Sequence, residues 1–374
     1  MRGSNAGSYC FPSLVLALTL SAPSFVQAQG AVNGLTHARA MVESHRTVPS
    51  FAGLKPFDAR TCAGGKRMLS IPNTSANPFL KGIIEREIAV GHGVGLLVRE
   101  WQNEGHPTEW IQGMDYARNN GFNIVDLISG IDPRTLEPQI RAAAAAGVKT
   151  MVSHFYDPSQ AVDPVIAYSL PVKFNLVGRL LADWVTIRTS AKAVVVLVVS
   201  NEVPPTAPLV DGFKDELQHY CKQCRIVQEI NTGFTEWSVK IRPSVQSVVI
   251  ANSDVNFVIP IYDSMTQFVV PALQATGTQS RVKVASFNGT PFVLDYVREG
   301  KVDMDIGESL DWIARATVDA YLRELCNLSA PRDIGVPFLI FDASNVKSAG
   351  IPARFDQGYG TDYIRGFERA WMLK

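Results

Sequence analysis

The chain has no excess of either charge: 35 basic residues stand against 35 acidic ones. A broad basic face for nucleic acid or an anionic membrane is therefore not expected. Nor is there an apolar run of the roughly 20 residues that a membrane-spanning helix needs. Signatures of common catalysts are missing as well. The sequence contains no GxxxxGKS/T phosphate loop, no HExxH and no GxSxG, so nothing supports a P-loop NTPase, a zinc peptidase or an α/β-hydrolase. Gly91, Gly93 and Gly95 do cluster, but they precede a strand pattern, whereas a dinucleotide fingerprint follows one. The six histidines, His37, His45, His92, His106, His154 and His219, are scattered without the pair spacing of a metal site. No catalytic residue, cofactor or metal is expected.

Apolar residues are plentiful. At 374 residues and 46% hydrophobic content, the chain can bury two cores. The N-terminus has the order of an export signal: Arg2, a short apolar stretch over 14–20, then Val26-Gln27-Ala28 as a small-residue cleavage pattern. Residues 1–28 are read as a signal peptide cleaved after Ala28, which makes the mature protein soluble, exported and periplasmic. Cys10 would leave with the signal, and no small-residue lipobox precedes it. Cys62, Cys221, Cys224 and Cys326 remain, an even number in an oxidising compartment. Cys221-Lys222-Gln223-Cys224 has the CxxC spacing of a redox or metal motif. No thioredoxin-like sequence surrounds it and no second CxxC exists, so a local structural disulfide between Cys221 and Cys224 is the expectation. Spacing alone does not fix the pairing.

Residues 29–65 carry Pro49, Pro56 and several glycines with little periodicity, and read as a leader arm, laid on the surface or partly disordered. From Lys66 strand and helix patterns alternate. Strands are expected at 94–100, 123–129, 149–153, 193–200, 225–230, 257–261, 282–287 and 338–342, with helices at 109–120, 135–146, 175–188, 211–220, 239–247, 265–276, 291–299 and 310–325. This rhythm implies parallel sheets with helices on both faces. The AVVVLVVS run at 193–200 is continuously apolar, as a strand buried on both sides requires.

Residues 67–82, RMLSIPNTSANPFLKG, read as strand, loop and helix start. Pro78 biases Asn77 to an extended conformation and suits the first helical turn, where its missing N–H costs nothing. Ligands of open α/β sheets bind beyond the carboxyl ends of such strands. Further along, Phe287-Asn288-Gly289-Thr290-Pro291 follows another strand. The NPF turn, the FNGTP segment and the elements between them resemble periplasmic binding proteins of the ribose-binding family, which serve ABC importers. The similarity holds in order over 66–346.

That resemblance implies an α/β fold of two doubly wound parallel-sheet lobes joined by a multi-strand hinge, of the type I periplasmic-binding-protein kind. The lobes would be discontinuous: 66–168 with 309–337, and 169–308 with 338–374. It also implies a ligand cleft. Asn77 and Phe79 occupy the positions of the family's asparagine and first stacking aromatic, and Asn73 a polar contact position. As a turn residue, Asn73 can equally bond its own backbone. Ser153 and His154 stand where pentose binders carry an Asp-Arg pair. Asp211-Gly212-Phe213 matches a helix start, without the arginine that usually precedes it. Trp237 falls near the stacking aromatic of the second lobe, with Phe234 as a nearby rival. Tyr262 and Asp263 replace an Asn-Asp pair, Asn288 replaces an aspartate, and Glu308 a glutamine near the hinge. Asp263 can instead cap a helix beginning at Met265.

The substitutions remove two arginines and two aspartates and keep amides. A neutral or mildly cationic ligand follows: a polyol, a modified sugar or a hydroxylated ring. The implied role is that of a monomeric, non-enzymatic solute-binding protein that delivers its ligand to an ABC permease. Presentation of the ligand to a chemoreceptor or sensor kinase is the alternative, as is import of a non-sugar ring compound. A LacI-like regulator would need a helix-turn-helix ahead of residue 66, where the leader stands instead.

Overall fold

The computed structural model describes residues 1, 3, 25–129, 131–331 and 335–373, with side chains from residue 32 onward in the first helix. Arg2 and the apolar stretch 14–20 of the expected signal lie outside the described residues.

Short β-branched runs bounded by turns form two sheets. The first contains β1 (Arg67–Pro72), β2 (Leu97–Glu100), β3 (Ile124–Ile128), β4 (Lys149–Ser153) and β5 (Tyr168–Leu170) in the order β2-β1-β3-β4-β5. All its pairings are parallel. The second contains β6 (Val194–Val199), β7 (Arg225–Asn231), β8 (Phe257–Pro260), β9 (Lys283–Asn288), β10 (Met304–Glu308) and β11 (Phe338–Asp342) in the order β11-β10-β9-β8-β6-β7. Only β11 runs antiparallel, against β10. The unbroken apolar run expected at 193–200 is β6, inside this sheet and buried from Val195 onward.

Helices cover both sheets. Those of the first lobe are α3 (Pro78–Val94), α4 (Pro107–Asn119), α5 (Glu137–Ala145) and α11 (Leu310–Leu325). Those of the second are α6 (Phe174–Arg188), α7 (Thr206–Tyr220), α8 (Trp237–Ala251), α9 (Asp263–Ala275) and α10 (Pro291–Arg298). Trp312 and Tyr321 of α11 share a core with Met68, Ile124 and Met151 from the first sheet. Helices α6 and α7 approach each other at Gly178 and Gly212, where a Cβ would overlap the backbone of Leu209 or Asn175. Asp211-Gly212-Phe213 is therefore mid-helix packing and not a helix start. Helix α7 opens earlier, at Thr206, because Pro208 falls in its first turn, where no N–H is needed.

The leader departs from expectation. Helices α1 (Phe25–Ser44) and α2 (Ala59–Ala63) replace an irregular arm. Helix α1 lies on α6 and α7, with Ala38 and Val42 buried, and at Gly34 its backbone meets the Tyr220 carbonyl. Its buried stripe is Gly34, Ala38 and Val42, residues too small to give a clear hydrophobic period. After α1 the chain passes the free edge of β11, where the Ile340 N–H donates to the His45 carbonyl and Arg46 pairs with Asp342 at 2.7 Å. It then reaches the first lobe, where Phe51 packs on Trp312 and Phe367. The tail also crosses back: α12 (Asp362–Ala370) buries Tyr363 and Phe367 beside Trp312, so the closing helix sits on the first lobe and not on the second.

Two disulfides form, Cys62–Cys326 and Cys221–Cys224. The second is the local one expected from the CxxC. The first closes a sequence separation of 264. Loop-closure entropy predicts a contribution on the order of 5 kcal/mol from it. The double substitution Cys62→Ser/Cys326→Ser is expected to lower the chemical-denaturation free energy by several kcal/mol. Removing Cys221–Cys224 in the same way should cost clearly less.

Behind the first sheet, Ser70 donates to Glu87 at 2.8 Å, while Ser153 and Tyr321 donate to Asp126 at 2.8 and 2.7 Å. Burial raises Asp126 to about 7, and burial with the Asp126 charge nearby raises Glu87 well above the ordinary carboxylate range. Folded values above unfolded ones mean that this contribution to stability is complete in acid and fades as pH rises through about 7. The melting temperature of the wild type should therefore fall between pH 5 and pH 8 more steeply than that of Asp126→Asn. Parallel slopes in the two proteins would show that the pair does not titrate in this window.

Candidate ligand-binding cleft

The carboxyl ends of strands from both sheets meet in one cleft. The first lobe contributes Asn73 and Asn77 after β1, Phe79 at the start of α3, Ser129 after β3 and His154 after β4. The second contributes Trp237, Tyr262, Ser264 and Asn288. In both sheets the order turns back at this place, at β1/β3 and at β6/β8, which is where open α/β sheets bind ligands. An inner chamber of about 30 Å³ adjoins an outer one of about 160 Å³, and the two share Asn73, Asn77, Trp237 and Ser264. The inner chamber has room for about two waters. A sugar-sized ligand does not fit the inner chamber as it stands.

Each side chain is held by its element. Asn77 caps α3, its Oδ1 accepting from the N–H groups of Phe79 and Leu80, which leaves the amide NH₂ toward the cleft. The Asn73 Oδ1 accepts from Thr74 N–H at 2.6 Å, and its carbonyl accepts from the Trp110 indole. Phe79 is 4% exposed and meets the His154 ring edge-on at 5.1 Å. Trp237 and Tyr262 stack with centroids 6.5 Å apart. The Tyr262 hydroxyl bonds Thr206 at 3.1 Å, and burial raises its phenol above the usual range.

Where the lobes meet, His154 Nε2 bonds Glu308 Oε1 at 2.7 Å, and Asn288 Nδ2 donates to the same oxygen at 3.4 Å. The His154 ring sits among Phe79, Phe174 and Phe287. Its Nδ1 has no hydrogen-bond partner among the described residues. Ser129, His154 and Asn288 all adopt positive φ, at 45°, 52° and 139°. Non-glycine residues rarely do so, and such backbones gather at ligand sites held by their surroundings.

Seven of the ten expected contacts line the cleft: Asn73, Asn77, Phe79, His154, Trp237, Tyr262 and Asn288. Three lie behind it. Ser153 turns to Asp126 inside the first lobe. Glu308 is the buried partner of His154 and Asn288. Asp263 begins α9 itself, instead of capping a helix from Met265, and accepts from the Thr290 N–H at 2.7 Å, fixing the FNGTP turn. Burial raises both Asp263 and its neighbour Asp305. Ser129 and Ser264 were not anticipated. The rule that ligands meet strand ends marked Ser129, and Ser264 is next to Asp263. With the carboxylates withdrawn, no Asp, Glu, Lys or Arg among the described residues lines either chamber.

Two doubly wound lobes facing each other across such a cleft define a bilobal binding protein. Residues 74–328 match the periplasmic binding protein domain family, and the chain belongs to it. Among solved structures, the myo-inositol binding protein of Caulobacter, bound to myo-inositol, is similar at 17% identity. That match covers 80% of this chain and 99% of the other, with a TM-score of 0.67. The 5-methylthioribose transporter solute binding protein of Thermotoga lettingae is 13% identical over 84% and 95%, with a TM-score of 0.69. An ABC transporter solute binding protein of Agrobacterium vitis, bound with α-D-tagatopyranose, is 19% identical over 75% and 96%, with a TM-score of 0.66. At these identities the likeness establishes the type I fold. No curated protein matches the chain in sequence.

Removing His154 leaves a buried carboxylate without its main partner. His154→Ala should destabilise the fold by on the order of 2–4 kcal/mol, read as a lower denaturation midpoint. His154→Gln, which can still donate to Glu308, should recover a measurable part of that loss.

Proposed function

We propose that this protein is the solute-binding component of an ABC importer, exported to the periplasm, and that it captures a small, neutral, hydroxylated ligand. The observation that carries the reading is the composition of the cleft. Amides of Asn73, Asn77 and Asn288 and an aromatic pair, Trp237 with Tyr262, stand together without an Asp, Glu, Lys or Arg in the lining. Amides donate to and accept from hydroxyls, and aromatic faces suit the apolar faces of sugar and polyol rings. Similar proteins bind myo-inositol, 5-methylthioribose and tagatopyranose, which supports this ligand class. The mechanism needs no chemistry. Lobe closure shifts the population toward a form that a permease recognises, and the chain acts as a monomer. The order of residues at the N-terminus supports export by a cleaved signal.

Thermal unfolding against pentoses, hexoses, cyclic polyols, sugar acids and small aromatics tests the proposal. A ligand at about a hundred times its dissociation constant adds roughly 2.7 kcal/mol, a shift of a few degrees. A neutral sugar or polyol is expected to give that shift, and Trp237→Ala to weaken its binding about tenfold or more while the unliganded melt stays near wild type; Asn288→Ala should weaken binding and also lower the melt, because Asn288 donates to buried Glu308. An anionic sugar acid as the tightest ligand would overturn the assignment of class.

A further inference from the structure

Far from the cleft, three helices bring together a histidine and two carboxylates. His37 comes from α1, Asp183 from α6 and Glu216 from α7, and one ligand atom from each lies within 4.8 Å of the others. His37 Nε2 is 2.6 Å from Glu216 Oε1. The other Glu216 oxygen accepts from Arg179 Nε at 2.7 Å. The His37 ring is fixed by stacking on Tyr220 at 3.7 Å. Asp183 is the unexplained member. It is 1% exposed, yet neither of its carboxylate oxygens has a hydrogen-bond partner among the described residues. A buried carboxylate is costly unless paired, and burial, with the Glu216 carboxylate beside it, raises this one to about 8. Sequence spacing gave no hint of the site, because His37 and Glu216 are 179 residues apart.

We infer that His37, Asp183 and Glu216 form a binding site for a divalent transition-metal cation that pins the leader helix to the second lobe. One imidazole nitrogen and two carboxylate oxygens suit Zn²⁺ or Mn²⁺. With Arg179 held on its outer oxygen, Glu216 presents the inner one. To accept metal–ligand bonds of about 2.0–2.2 Å, His37 and Glu216 must part slightly from hydrogen-bond distance. The His37 side chain is partly exposed, so this adjustment is local. The site assigns the leader a purpose: a cation would join α1 to α6 and α7 in addition to their packing.

The test uses the purified protein without a polyhistidine tag, stripped with chelator, then titrated calorimetrically with Zn²⁺ and Mn²⁺ and spectroscopically with Co²⁺. One equivalent of at least one cation is expected to bind, raise the melting temperature and slow proteolysis of 45–56. Asp183→Asn and His37→Ala are each expected to weaken binding at least tenfold. Both should fold, since the first is isosteric and removes a buried charge and the second lies on a partly exposed helix. Absence of stoichiometric binding, or binding unchanged in both variants, would overturn the site and leave Asp183 as a carboxyl satisfied by a proton.

Discussion

Two parallel sheets can share one cleft only if the carboxyl ends of their strands are held face to face, and a flexible linker would not hold them so. The chain solves this by repeated crossing. It passes between the lobes after β5, after β10 and before β11, and its leader and its tail each cross once more. The hydrogen bond between His154 and Glu308 lies where these passages meet. Its donor ends a strand of the first sheet and its acceptor ends one of the second. The positive φ of His154 and Asn288 belongs to the same place: the backbone there turns sharply so that two side chains from opposite lobes reach one carboxylate.

Much of this was legible in the sequence, for identifiable reasons. Strands such as β6 announce themselves because burial on both faces demands an unbroken apolar run, and Asn77-Pro78-Phe79 marks a helix start by the geometry of proline. Strand β5 has three residues, too few for a period to register. Helix α1 hides because small residues make its contacts, and α12 because its partner α11 lies far away in sequence. Within the cleft, the family resemblance picked out aromatic and amide side chains that line it. It did not separate Asp263 and Glu308 from them, since a carboxylate that faces a ligand and one that braces the wall behind it look alike until the backbone N–H of Thr290 or the ring of His154 is placed beside it.

The carboxylates set back from the cleft form a pattern. Glu87 and Asp126 lie behind the first sheet, and Asp263 and Asp305 behind the second, all fully buried. Each pair has hydroxyl or backbone donors, and burial raises the proton affinity of all four. None of the four lines either chamber. On the proposed function, a lining without Asp, Glu, Lys or Arg leaves hydrogen-bond geometry and ring stacking to select the ligand.

The bond between Cys62 and Cys326 changes what kind of object the backbone is. Between those residues the polypeptide is a covalent circuit containing the whole first sheet and all of the second except β11. Outside it hang two arms. One carries α1 and the other β11 and α12, and they touch where His45 bonds Ile340. A single cut inside the circuit opens a ring and releases no fragment, so both halves of the cleft stay tethered. A cut in either arm frees an end that closes the outer edge of the second sheet or the base of the first. A nick inside the circuit therefore leaves the fold tethered, whereas a cut in either arm detaches part of it.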